Sequence, residues 1–274
     1  MNTNSNTYTV IYSIILVVVV AAVLAFAAMF LKPTQDANVK KDTISQILTA
    51  ATVDGGNDIL GTYKQDIESA ILVDLEGNQV GTLDIETCEV YGTSELKKQI
   101  AAESKALPVY IFKNGITVVP CYGAGLWGPI WGYIGFEGDL KTIKAVCFGH
   151  KGETPGLGAK IADEPSFAAG FVGKQMGSDE ILFEVAKPAN RQTVESGVDA
   201  ISGATITCQA LGRTLNQWFG FYQAYFDANK KPATECTECT GCAECAECTE
   251  CPECTEQTPA EEATAEAAEV EQNN

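Results

Sequence analysis

Twenty-one consecutive residues, Ile11 to Leu31, carry no charge, and only Tyr12 and Ser13 dilute their apolar side chains. A helix of that length reaches about 31 Å at roughly 1.5 Å per residue, enough to cross the hydrocarbon of a bilayer. Met1 to Val10 holds no Lys or Arg, and the run exceeds the roughly 7–15 apolar residues of a cleavable signal peptide. The reading is a short leader, residues 1–10, followed by a single uncleaved transmembrane helix, residues 11–31. The nearby cations, Lys32, Lys40 and Lys41, all lie on its C-terminal side and favour a cytoplasmic location for the remainder of the chain.

The formal charge of −18 on 274 residues overstates how acidic the folded part is. Residues 235–274 hold twelve Glu and no Lys or Arg, so the rest of the chain carries only −6. No basic face suited to nucleic acid is expected. The same tail places Cys at 236, 239, 242, 245, 248, 251 and 254, a perfect three-residue period filled mostly with Thr, Glu and Ala. Such a stretch cannot bury a core, and residues 231–274 read as a disordered repeat tail. Its C-x-x-C spacing keeps a metal or iron–sulfur site open as the alternative.

Between anchor and tail the pattern is α+β with a mostly antiparallel sheet. Residues 32–100 form its membrane-proximal part and 101–230 its core. Ile44, Ile47 and Leu48 recur at helical spacing within Thr43–Ala51, and Tyr63–Val73 reads as helix then strand. Val109–Phe112 and Ile116–Val119 flank Asn114-Gly115, a hairpin signal. Strands are predicted at Ile130–Phe136, Thr142–Phe148 and Ile181–Val185, with a helix near Ser166–Val172. Thr205–Phe226 reads as a closing helix whose apolar face includes Ile206, Leu211, Leu215, Trp218 and Phe219.

Three strings carry candidate chemistry. Asp199-Ala200-Ile201-Ser202-Gly203-Ala204-Thr205 presents a hydroxyl with little crowding from Gly203 and Ala204, at the start of the closing helix. A phosphate there would meet unpaired N–H groups and the positive end of the helix dipole, although Ser, Gly and Thr are also ordinary helix caps. Glu153-Thr154-Pro155-Gly156-Leu157-Gly158 combines glycines that allow close backbone approach, an apolar Leu157 and a stiffening Pro155, as a planar neutral ring requires. It also satisfies an ordinary Gly/Pro turn. Gly123-Ala124-Gly125-Leu126-Trp127-Gly128 matches G-x-G-x-x-G formally, but Pro129 and a strand-like run follow where a phosphate-binding helix should begin. His150 is the only histidine, which disfavours metal ligation or a Ser-His mechanism at Ser202. No metal-ligand set is expected in the domain, and Cys88, Cys121, Cys147 and Cys208 read as small core residues.

Together these strings resemble the FMN-binding family that contains the C subunits of sodium-pumping NADH:quinone reductases. Asp199 to Thr205 resembles the D-x-x-[ST]-G-A-[ST] signal of flavin transferases, Glu153 to Gly158 the family's E-T-P-G-L-G string, and Gly125-Leu126-Trp127 its G-L-W stretch. The resemblance covers nearly the whole chain except the tail. It implies FMN bound covalently through its phosphate to Thr205, with Asp199, Ser202, Gly203 and Ala204 in the attachment motif. Glu153, Thr154, Pro155, Gly156, Leu157, Gly158, Leu126 and Trp127 are the implied flavin contacts. It further implies an electron carrier without substrate chemistry of its own, maturation by a flavin transferase, and other subunits of a membrane respiratory complex as partners. The family places such a domain on the periplasmic side of the inner membrane, against the lysine distribution, and that placement is the expectation adopted. The related RnfG-type subunits of ferredoxin:NAD complexes share two of the three strings and form the closest alternative. A membrane-tethered metal-binding protein acting through its tail is the second.

Overall fold

The computed structural model describes residues 6–177, 182–187 and 196–230. The tail and Ile181, the first residue of one predicted strand, lie outside them.

Helix α1, Asn6–Ala50, joins the predicted anchor to the predicted helix at 43–51 in one continuous element. The intervening Lys32–Asn38 segment supplies an i,i+4 ion pair, Lys32 to Asp36 at 3.3 Å, and contains no glycine; Pro33 lies inside the helix. The apolar residues of the 11–31 run are exposed along their length, as a lipid-facing span requires, whereas Ile44, Ile47, Leu48 and Ala50 are fully buried. One helix therefore has two parts, the first long and apolar enough to cross a membrane and the last packed into a protein core.

The chain then forms α2 (Ile59–Asp66), β1 (Ile67–Val73), β2 (Gln79–Thr82) and α3 (Thr93–Ala101). Strands β3 (Leu107–Phe112), β4 (Thr117–Ala124), β5 (Pro129–Phe136) and β6 (Ile143–His150) follow. All six strands belong to one antiparallel sheet of order β2-β1-β3-β4-β5-β6. Two short helices, α4 (Lys160–Asp163) and α5 (Pro165–Ala169), precede β7 (Glu184–Ala186) and β8 (Gly197–Asp199), which pair in parallel. Helix α6, Thr205–Asn229, closes the domain.

Period-two alternation divides the buried residues of the central strands between two cores. Val109, Val119, Cys121, Ile130, Ile134 and Phe136 face α6, where Leu211, Leu215, Trp218, Phe219, Tyr222 and Phe226 are buried. Tyr110, Phe112, Val118 and Tyr133 face the other way, onto Ile44, Ile47, Leu48 and Tyr63. The sheet is thus a middle layer between α6 and the end of the anchor helix. Trp131 Nε1 donates to Gln46 Oε1 at 2.9 Å, and Asn114 Nδ2, in the β3–β4 turn, donates to Ala51 O at 2.9 Å. Burial pushes the Cys121 thiol up to about 12 and the Cys147 thiol up to about 11, consistent with core packing rather than reactivity.

The β5–β6 turn depends on Asp139. Its carboxylate accepts from Lys141 N at 2.9 Å, Thr142 N at 2.8 Å and Thr142 Oγ1 at 2.5 Å. Burial works to raise its pKa, but the Thr142 and Lys141 donors together outweigh it and hold the carboxyl below the usual range. A pKa lower in the folded state stabilises above the unfolded value, and the effect is lost as pH falls through the folded value. Asp139→Ala is therefore expected to cost about 1 kcal/mol at neutral pH, a difference that narrows below about pH 4. Paired denaturant titrations at pH 7 and pH 3 check this; an equal gap at both pH values would remove the carboxylate from the account.

Candidate flavin site

Three connections converge at one end of the sheet. The first is the β4–β5 turn, closed by Gly125 N donating to Gly128 O at 2.8 Å. It joins two antiparallel strands, so the formal G-x-G-x-x-G string has no helix behind it and is not a dinucleotide-binding turn. At its tip Leu126 is 46% and Trp127 69% exposed, a large apolar area to leave in water.

The second connection leaves β6 at His150. Its turn is held by Leu157 N and Ala159 N, both donating to Thr154 O at 3.1 Å. Gly156 takes a φ of +76°, which an L side chain rarely adopts, and Leu157 is left 44% exposed beside it. The loop lies against the first one: a Cβ on Gly128 would stand 3.4 Å from Gly152 N.

The third runs from β8 into α6. Asp199 ends β8 opposite Ala186 of β7, and Ala200 N donates to Ala186 O at 2.9 Å. Gly203 turns the chain with φ +80°, and a Cβ on it would fall 2.9 Å from Leu157 Cδ2. The attachment-like string therefore touches the second loop. Ala204 is the N-cap of α6 and supplies no side-chain hydrogen bond, so the first-turn N–H groups lack a side-chain cap.

Thr205 and Thr207 differ in what the fold leaves of their hydroxyls. Thr205, the first residue of α6, is half-buried and lines a cleft of about 790 Å³ with Gln209 and Arg213 of the same helix and Lys187 beyond β7. Thr207 is 1% exposed, and its Oγ1 donates to Glu153 Oε2 at 2.7 Å. Ile206, between them, is exposed. Glu153 itself is 4% exposed and turned inward, its Oε1 accepting from Trp127 N at 2.9 Å. Ser202 is exposed and Ala204 buried.

All three predicted strings thus meet. The Glu153–Thr207 bond is not legible in the sequence, where a lone acid in a Gly/Pro string is the only signal of it.

The donors and surfaces suit FMN. Exposed Trp127, Leu126, Leu157 and Ile206 offer apolar faces to a planar ring, and half-buried Thr205 stands at a helix N-terminus that favours phosphate. Fold and site define a flavin-binding domain carried on an apolar helix, and residues 125–220 match the FMN-binding domain family.

The chain is 31% identical to the C subunit of the Na+-translocating NADH-quinone reductase of Haemophilus ducreyi, over 79% of this chain and 90% of the relative. The corresponding protein of Vibrio anguillarum is 28% identical over 80% and 92%. The crystal structure of the C subunit from Parabacteroides distasonis superposes with a TM-score of 0.62 at 31% identity, covering 72% of this chain and 96% of that one. Shewanella oneidensis NqrC gives 0.58 at 29%, covering 71% and 99%. The chain belongs to the NqrC family, the C subunits of the Na+-translocating NADH-quinone reductases.

Proposed function

We propose that this chain is the FMN-carrying, electron-relaying subunit of a Na+-translocating NADH-quinone reductase, with FMN held by a phosphoester bond to Thr205. The observation that carries the attachment is the contrast between the two threonines: Thr205 is half-buried on a cleft, while the Thr207 hydroxyl is buried against Glu153. Bound FMN supplies the redox chemistry. The chain's own residues fix where that chemistry happens. Thr205 Oγ1 tethers the phosphate, the uncapped first turn of α6 offsets its charge, and Leu126, Trp127 and Leu157 give the ring apolar contacts that exclude water.

The span at 11–31 anchors the domain in the cytoplasmic membrane with the domain on its periplasmic side, among the other subunits of the complex. A flavin transferase installs the cofactor.

Membranes containing the mature protein are expected to support sodium-stimulated NADH:quinone reduction that falls when this chain is removed. The purified chain, made with its transferase, should keep yellow fluorescence after acid denaturation. Dependence on ferredoxin instead of quinone would assign it to the related ferredoxin:NAD complexes.

A further inference from the structure

Glu153 is bonded to both other connections of the site. Its Oε1 takes the Trp127 amide at 2.9 Å and its Oε2 takes the Thr207 hydroxyl at 2.7 Å. Each oxygen is also roofed by a glycine: a Cβ on Gly125 would fall 2.5 Å from Oε1, and one on Gly158 would fall 2.4 Å from Oε2 and 2.7 Å from Thr207 Oγ1. Two glycines of the flavin strings therefore leave room for this carboxylate. A carboxylate 4% exposed is costly to bury unless its oxygens are satisfied, and here one backbone and one hydroxyl donor satisfy them.

We infer that Glu153 is a positioning residue, a clasp that holds the Trp127 turn, the Leu157 loop and the start of α6 in one arrangement before the flavin arrives. This rests on the FMN reading above. The clasp reaches FMN only through its neighbours, by fixing the backbone that presents Trp127 and by holding Thr207 inward on the helix whose first residue is Thr205. A site ordered in advance spends less binding free energy on ordering loops and holds its ligand in a narrower range of orientations.

The experiment uses the full chain in detergent, made with and without the transferase. Thr207→Val removes one arm of the clasp at nearly constant shape, Thr207→Ser keeps the hydroxyl, and Glu153→Ala removes the acceptor altogether. In the flavin-free chain, hydrogen exchange at the Trp127 amide is expected to rise about tenfold in Thr207→Val and further in Glu153→Ala, while core amides of β3 and β5 keep their rates. Thr207→Ser should stay within about twofold of the parent. In the loaded chain, Thr207→Val should keep covalent FMN yet lose at least about half of its induced visible circular dichroism, because the ring's surroundings are no longer fixed. A folded Thr207→Val with parental Trp127 exchange and parental dichroism overturns the clasp, as does a Thr207→Ser that behaves like Thr207→Val. If Glu153→Ala does not fold, the two Thr207 variants decide the matter alone. A parent chain that takes no covalent flavin, but whose variants show the expected exchange, overturns the flavin reading and leaves the clasp standing.

Discussion

Thr205→Ala, made with a working transferase, is expected to lose covalent flavin completely. No other hydroxyl in the motif can replace it. Thr207 is 1% exposed and hydrogen-bonded to Glu153, and on a helix the two side chains point about 200° apart at roughly 3.6 residues per turn. Ser202 is exposed, but it lies before the turn at Gly203 and outside the helix N-terminus. Thr205→Ser should keep partial loading, since the hydroxyl remains while the methyl that restricts its rotamers is gone. Thr207→Ala should stay flavinylated on Thr205 and lose about 1–3 kcal/mol of stability from the carboxylate oxygen it leaves unpaired. In-gel flavin fluorescence after denaturation, with mass mapping of the flavin peptide, reads the parent and all three variants. Fluorescence in Thr205→Ala, or a flavin mass on Thr207, would refute the assignment.

Gly135→Ala is expected to produce a large loss of stability from a single added methyl group, about 3 kcal/mol. Gly135 sits in β5 between Val118 of β4 and Ala145 of β6. A Cβ there would fall 1.9 Å from the carbonyl oxygen of Ala50 and 3.2 Å from Ile116 Cγ2. The nearest of these is backbone, at the end of α1, and it cannot retreat without unseating Ile47 and Leu48, which are 0% and 1% exposed. The substitution should therefore prise the anchor helix off the sheet, with faster proteolysis around residues 51–58 as well as an earlier denaturant midpoint. Gly220→Ala is the matched control. It lies in α6 with nothing within 4 Å of a new Cβ, so it is expected to gain about 0.5–1 kcal/mol from helix propensity. A Gly135→Ala midpoint equal to that of the parent would contradict the packing of α1 on β5.

The fold is legible where the signal is local and periodic. The β3–β4 hairpin around Asn114-Gly115, the strands β5 and β6, and the long closing helix α6 all follow from a turn signal, from alternation or from 3.6-residue spacing. Two short elements are not legible: β2 is four residues, Gln79 to Thr82, whose Val80 is itself exposed, and β8 is three residues, Gly197 to Asp199. Such strands form because neighbouring strands offer them hydrogen bonds, and that information lies elsewhere in the chain. The two helical segments of α1 are each legible, but their continuity through Pro33 is not, because proline is a helix breaker by local rules.

By itself the sequence determined an apolar run long enough to cross a membrane, through the absence of charge from Ile11 to Leu31, and the candidates for the site, through three strings whose residue types suit a ring and a phosphate. Both are properties of residues near one another along the chain. Tertiary structure decided how those residues are arranged. Thr205 and Thr207 are two residues apart and chemically alike, yet Thr207 is paired with a carboxylate 54 residues away and Thr205 is left on a cleft. Glu153 belongs to a string that reads as ring contact, yet it is buried and bound to the amide of Trp127, 26 residues before it. The physical reason is the same in both cases: a hydrogen bond in a dry interior depends on what the fold brings within about 3 Å, and neither partner's neighbours in sequence carry that information.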